Sequence, residues 1–226
     1  MPRPIDEELA DVPAYKQRYF QQRDQAQNWR DFNLGLDRMR GMGSNERFAY
    51  RQINAAEGGG VPDASDPRAK GPAVGGLTAK TLSQLEIPGV APDALPADLK
   101  PWQLPHGYRA YFDREFARAD GAKTLDEIKH PGIAAFVADT SFRAGTNGSE
   151  MIQRAVNHVR KKQGLPTIAQ DKMFGPETLE AVNQVTSSAG ERRAFARELK
   201  KLRDVKYPGE SLRTGHFFGL ATKEYY

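Results

Sequence analysis

The sequence predicts a mainly α fold, and three observations carry that prediction. Apolar residues recur at helical spacing in successive segments, glycine and proline clusters cut the chain between them, and runs with strand alternation are scarce. With 226 residues the chain buries enough apolar surface to fold unaided, as one large domain or two small ones.

Residues 6–40 read as helix, with Tyr15, Tyr19, Phe20, Trp29, Phe32 and Leu36 forming a loose apolar stripe that docks the segment on the main body. Gly41-Met-Gly-Ser-Asn breaks it, and Ser44 or Asn45 is positioned to cap a second helix through Phe48, Ile53 and Ala56, ending at Glu57. From Gly58 to Gly76 glycine and proline are too dense for helix, so a loop with a short hairpin is expected. Helix returns at Leu77–Leu85, and Ile87–Pro96 reads as an ordered connection that keeps apolar residues between its prolines.

The next helix places aromatics at 108, 111, 112 and 116, a stripe that fits core packing or, at Tyr111, stacking on a sugar. A helix over 131–143 turns Ile133, Phe136 and Val137 inward, and Ser149 then caps an amphipathic helix running from Met151 to Gln163. Gly175 and Pro176 open a helix toward Val185. Another spans about 190–204 and precedes an aromatic tail ending in Tyr225-Tyr226. Its basic residues, from Arg192 through Arg203, alternate with apolar ones and read as a solvated face, with a polyanion contact as the alternative. The implied division is 1–43, an N-terminal helical extension; 44–145, a central region; and 146–226, a C-terminal helical region packed on it.

Composition narrows the chemistry. There is no cysteine, so disulfides and thiolate metal sites are excluded. His106, His130, His158 and His216 stand apart without a His-x-x-x-His pair, no nucleophile elbow occurs, and no metal or other cofactor is expected. The start, Met1–Glu8, has no apolar h-region and no stretch approaches the length of a membrane span, so neither a Sec signal nor membrane insertion is expected. Lys and Arg number 33 against 29 Asp and Glu, a mild excess scattered among acids that gives little ground for nucleic-acid binding.

What remains is a pair of carboxylates. A helix delivers Glu57 into Gly58-Gly59-Gly60, where the negative end of the helix and its unpaired carbonyls oppose ionisation and suit a proton donor. Asp66 lies nine residues on, in a loop that can turn back toward it, and Asp63 is the alternative for the same role. Two carboxylates in unlike surroundings are the equipment for glycosidic bond cleavage. Glycines 58 and 59 let backbone approach a ligand, and Thr78 either bonds substrate or caps the following helix.

Two local patterns resemble glycoside hydrolase family 108, bacterial and phage muramidases with a lysozyme-like helical fold. The first is Glu57-Gly58-Gly59-Gly60, Val61-Pro62-Asp63, Asp66-Pro67 and Gly75-Gly76-Leu77-Thr78, which is similar to the family's Glu-Gly-Gly-Tyr run, its Asp nine residues later and its Gly-Gly-Ala-Thr and Tyr-Gly-Ile-Thr stretches. The second is Ile152-Gln153, Asp171-Lys172 and Phe174-Gly175-Pro176-Glu177-Thr178, which resembles the family's C-terminal peptidoglycan-binding region. Gly60 stands where the family has tyrosine, and Lys172 where it has glycine.

The resemblance implies a lysozyme-like fold with a small loop or hairpin after the catalytic Glu. It also implies hydrolysis of the β-1,4 bond between N-acetylmuramic acid and N-acetylglucosamine, with Glu57 as acid and Asp66 as base or stabiliser. Asp171 and Thr178 tie a turn to a helix N-terminus. A lytic transglycosylase using Glu57 alone is the first rival, and a non-catalytic wall-binding or injection-apparatus protein the second. The implied partners are peptidoglycan strands and, for a contact-dependent effector rather than an endolysin, a secretion-apparatus component and a cognate immunity protein.

Overall fold

A computed structural model describes residues 14–58, 62–63, 73–91, 93–116 and 124–225. Among these residues the fold is mainly α, with ten helices and three two-residue strands. Helix α1 (Ala14–Arg38) falls within the expected 6–40; residues 6–13 and the side chains of Tyr15, Tyr19 and Phe20 lie outside the described set. Phe32 and Leu36 are fully buried, and Trp29 stacks on Phe32. Gly35 lies so close to the Trp102 backbone that a Cβ would overlap its carbonyl, so the segment is docked as its stripe implies.

Helix α2 (Ser44–Ala56) begins where expected but is capped from elsewhere. Neither Ser44 nor Asn45 supplies the cap: the Asp126 carboxylate accepts from the N–H of Gly43 (2.8 Å), Asn45 (3.1 Å) and Glu46 (3.0 Å). A charged acceptor facing several free N–H groups and the positive end of the helix outcompetes a local hydroxyl. Arg47 in turn binds the last carbonyls of α1, Leu36 at 2.5 Å and Met39 at 3.0 Å, fixing the two helices end to end.

The chain then forms an antiparallel sheet, β1 (Pro62–Asp63), β2 (Ala73–Val74) and β3 (Leu77–Thr78), in that order. Val74 pairs with Leu77, so Gly75-Gly76 is a two-residue hairpin turn, with φ of +53° and +75°. Positive φ at both positions is the hairpin geometry that glycine adopts without strain. Leu77 and Thr78 therefore belong to a strand, and the helix expected from Leu77 is only α3 (Ala79–Leu82).

The aromatic stripe sits on α4 (Leu104–Glu115), and Tyr108, Tyr111, Phe112 and Phe116 are all buried. After the one-turn helix α5 (Thr124–Glu127), which carries Asp126, comes α6 (Pro131–Ala144). Every residue of α6 from Gly132 to Ser141 is buried, which makes it the central helix; it packs against α2 and the later helices. Gly145, at φ +54°, turns the chain so sharply that α7 (Thr146–Lys162) starts at the next residue, leaving Ser149 buried inside the helix rather than capping it.

Helix α8 (Pro176–Val185) opens at Gly175 as expected. The turn before it is tied to α7 through Gln153, whose amide donates to Asp171 Oδ1 (2.7 Å), Met173 O (3.0 Å) and Thr178 Oγ1 (3.2 Å) while its carbonyl accepts from Lys172 N–H (3.1 Å). Asp171 and Thr178 thus join turn to helix. Lys172 adopts φ +67°, a left-handed conformation that costs a non-glycine residue about 1–2 kcal/mol. Its exposed ion pair with Glu150 returns only a fraction of that. Lys172→Gly is expected to raise the unfolding free energy by about 1 kcal/mol in urea titrations.

Helix α9 (Ala189–Lys206) has a Ser188–Glu191 capping box, and α10 (Ser211–Thr222) occupies what reads in sequence as an aromatic tail. The basic face of α9 is only partly solvated. Arg193, Arg197 and Lys201 are exposed, whereas Arg192 is buried on Glu224 (2.7 Å) and Arg203 is buried against α6. One cluster of buried apolar side chains runs from Phe32 to Ala221, across residues 43 and 145 alike.

The chain end is pinned on α6 by His130, whose Nδ1 accepts from Ile133 N–H at 3.3 Å while Nε2 lies 3.0 Å from Lys223 O. Both contacts are satisfied only by the neutral ring with its proton on Nε2. Burial lowers the His130 pKa below its ordinary 6.5; Arg192 nearby acts in the same direction, against the Lys223 bond and Glu224. Because the folded value lies below the unfolded one, this stabilisation is complete above about 6.5 and is lost as pH falls through the folded value. Melting temperature is expected to decline more steeply below pH 6.5 in wild type than in His130→Asn, which keeps a capping acceptor and does not titrate.

Candidate active site

Glu57 caps the C-terminal end of α2, its N–H donating to Ile53 O at 2.9 Å. Its side chain is 12% exposed and faces the β2–β3 turn. At Gly76 a Cβ would stand 2.8 Å from Glu57 Cδ, 2.9 Å from Oε2 and 2.6 Å from the Phe142 ring. Any side chain there would push the carboxyl aside, which gives Gly76 a steric reason beyond its turn. Gly75 is held by Tyr108, whose hydroxyl donates to Gly75 O at 2.9 Å. Burial first, and then the nearby Glu57 charge, pushes the Tyr108 pKa well above the ordinary phenol value.

The helix end is not the only electrostatic influence on Glu57. Arg213 of α10 donates from Nη1 to Glu57 Oε1, and Arg143 Nη1 of α6 lies 3.8 Å from the same oxygen. Both cations oppose the negative helix end that the sequence reading assigned to this carboxyl. They belong to a closed circuit of alternating charge. Arg213 donates from Nε (2.9 Å) and Nη2 to Asp139 Oδ1, Asp139 Oδ2 accepts from Arg203, Arg203 Nη2 faces Glu210 Oε2 at 3.6 Å, and Glu210 Oε1 accepts from Arg143. Three carboxyl groups alternate with three guanidiniums around it.

Exposure grades around the circuit, and the gradient locates its working edge. Asp139 (0%) and Arg203 (1%) are in the core, Glu210 (11%), Glu57 (12%) and Arg213 (14%) are near the surface, and Arg143 (28%) is at the rim. Burial works against the charge on Arg213, but Asp139 and Glu57 outweigh it and hold its pKa above the ordinary arginine value. For Arg143 burial is likewise opposed by the Glu210 hydrogen bond and the Glu57 charge, and its pKa is also raised. The buried edge is a fixed scaffold of ions; the rim is where a ligand could reach them.

The other expected site residues are distributed unevenly. Gly58 follows Glu57 at φ +83° with open space around it, whereas Gly59 and Asp66 lie outside the described residues. Asp63 pairs with Ala73 in β1, in the sheet whose far turn touches Glu57, and its side chain is outside the described set. Thr78 caps α3, accepting from Thr81 N–H at 3.2 Å. Tyr111 is 7% exposed, donates to Ser141 O at 3.0 Å and packs on Phe142, so it belongs to the core and not to a sugar platform.

Asp139, Arg143, Glu210 and Arg213 are not singled out by the sequence, and Arg203 reads there only as part of a basic helix face. One signal pointed at them: an Asp inside the apolar run Ile133–Phe142 must find cationic partners if that helix is central. Among the described residues no group of three or more His, Cys, Asp or Glu could hold a metal, and no helix is long and apolar enough to cross a membrane. No protein-family model matches the chain, and no curated protein or solved structure is significantly similar to it.

Proposed function

We propose that the protein is a peptidoglycan hydrolase of the muramidase type, with a lysozyme-like arrangement of acid helix and small sheet. The observation that supports this most is the placement of Glu57: a helix-terminal carboxyl, mostly shielded from water, against the Gly75-Gly76 turn of an antiparallel sheet. In this reading Glu57 protonates the departing glycosidic oxygen as the C1–O bond of N-acetylmuramic acid breaks, and water delivers hydroxide to C1. Asp66 is the base or oxocarbenium stabiliser, with Asp63 the alternative. The β1 strand places Asp63 in the sheet that reaches Glu57, which favours a second carboxylate on that side. The C-terminal helices would engage the same glycan strands, and the biological setting would be lysis or attack on a neighbouring cell.

A second reading has its own support. Oε1 of Glu57 is committed to Arg213 and approached by Arg143, as in a structural ion cluster, which fits a wall-binding protein without turnover. Digestion of purified sacculi separates these readings. The muramidase yields reducing muramic ends, the transglycosylase anhydromuramic ends one water lighter, and the binding protein none. Asp66→Asn and Asp63→Asn then identify the second carboxylate by which of them loses turnover.

A further inference from the structure

We propose that Arg213 is the positioning residue of this site, so that helix α10 completes the active centre; the inference rests on the muramidase reading of Glu57. Two features carry it. Arg213 reaches Asp139 through both Nε and Nη2, so its guanidinium is anchored to a core carboxylate whether or not Glu57 is present. The remaining arm, Nη1, then binds Glu57 Oε1. A carboxyl at the end of a helix, followed by glycine, is held loosely by its own backbone; the fixed arm turns Oε1 inward and leaves Oε2 on the Gly76 side. Oε2 is therefore the oxygen that carries the transferable proton. The proton passes to the glycosidic oxygen and is regained from the attacking water, so Arg213 neither gains nor loses one.

The charge balance is part of the device. The groups facing Glu57 are Arg213 from α10, Arg143 from α6 and Tyr108 from α4, with Asp139 behind Arg213 and Glu210 behind Arg143. Because Asp139 shares Arg213 and Glu210 shares Arg143, each cation's pull on Glu57 is divided. An orienting donor can thus sit on a proton donor without acting as its sole counter-ion. Residues 146–226, which resemble a separate wall-binding region, in this account supply the residue that aims the acid.

The test uses Arg213→Met and Arg213→Lys in the full chain, assayed on soluble glycan fragments, together with the crystal structure of each variant. Arg213→Met is expected to lower kcat about 10²-fold with KM little changed, the cost of a misplaced reacting group. The Glu57 side chain of the Met variant should also leave the orientation in which Oε1 faces α10. Arg213→Lys restores charge without the fork and recovers part of the rate; it carries the test if the Met variant does not fold. A folded Met variant with wild-type kcat and an unmoved Glu57 side chain overturns the inference. If wild type cleaves nothing, the muramidase reading fails, and the variant structures alone still decide whether Arg213 positions Glu57.

Discussion

Asp139→Ala is expected to lower the unfolding free energy by about 3–5 kcal/mol, the cost of removing one partner from a buried ion pair. For a chain of this size that corresponds to a fall of roughly 6–20 °C in melting temperature. Asp139 is fully buried in the central helix and neutralises two guanidiniums, Arg203 at 1% exposure and Arg213 at 14%. Without it, among the described residues, Arg203 is left with Glu210 at 3.6 Å, beyond hydrogen-bond reach, and the Phe136 ring, and Arg213 with Glu57 and the Phe217 ring. Asp139→Leu combined with Arg203→Met is expected to recover most of the loss, since an apolar replacement of a whole buried pair removes its desolvation cost as well. A double variant as unstable as Asp139→Ala would show that the loss of Asp139 at Arg213, or packing around α6, sets the effect.

Glu57→Gln is expected to reduce glycan hydrolysis by 10²–10⁴-fold, equivalent to roughly 2.7–5.4 kcal/mol of barrier. The amide matches the carboxyl in size and keeps an oxygen acceptor for Arg213, while Asp139 continues to neutralise that arginine. What it loses is the transferable proton. Melting curves for the two proteins should accordingly lie close together, which separates lost chemistry from lost structure. Retained activity in a folded Glu57→Gln protein would assign Glu57 to the ion circuit alone.

Much of the helical frame is legible in the chain, because α2, α4, α6, α8 and α9 announce themselves by apolar periodicity and by their Gly or Pro boundaries. The departures have local causes. Ser149 looks like a cap, but Gly145 in positive φ lets α7 begin three residues before it. Leu77 looks helical, but two residues are enough for a strand when a Gly-Gly turn pairs them with Ala73-Val74. Helix α10 contains Gly215 and Gly219 and weak periodicity, and it is held by packing on α6 and α9.

Glu57 is visible in sequence because its motif is local: a helix end running into glycines. Its ionic partners are not. Arg213 is 156 residues away, and the Asp139 links to Arg203 and Arg213 span 64 and 74, so no spacing rule connects them. The cap on α2 was hidden for the same reason, since Asp126 lies more than 80 residues from Gly43 and Asn45. Read singly, Arg203 is one more cation on a basic helix, and only the burial of α6 turns it into the partner of Asp139.

The most direct measurement is digestion of purified sacculi in water enriched in ¹⁸O, by wild type and by Glu57→Gln at equal concentrations of folded protein. One ¹⁸O is expected at C1 of each new muramic reducing end with wild type, and a 10²-fold or greater deficit of labelled ends with the variant. Unlabelled anhydro ends, or labelled ends at equal rates from both proteins, would contradict it.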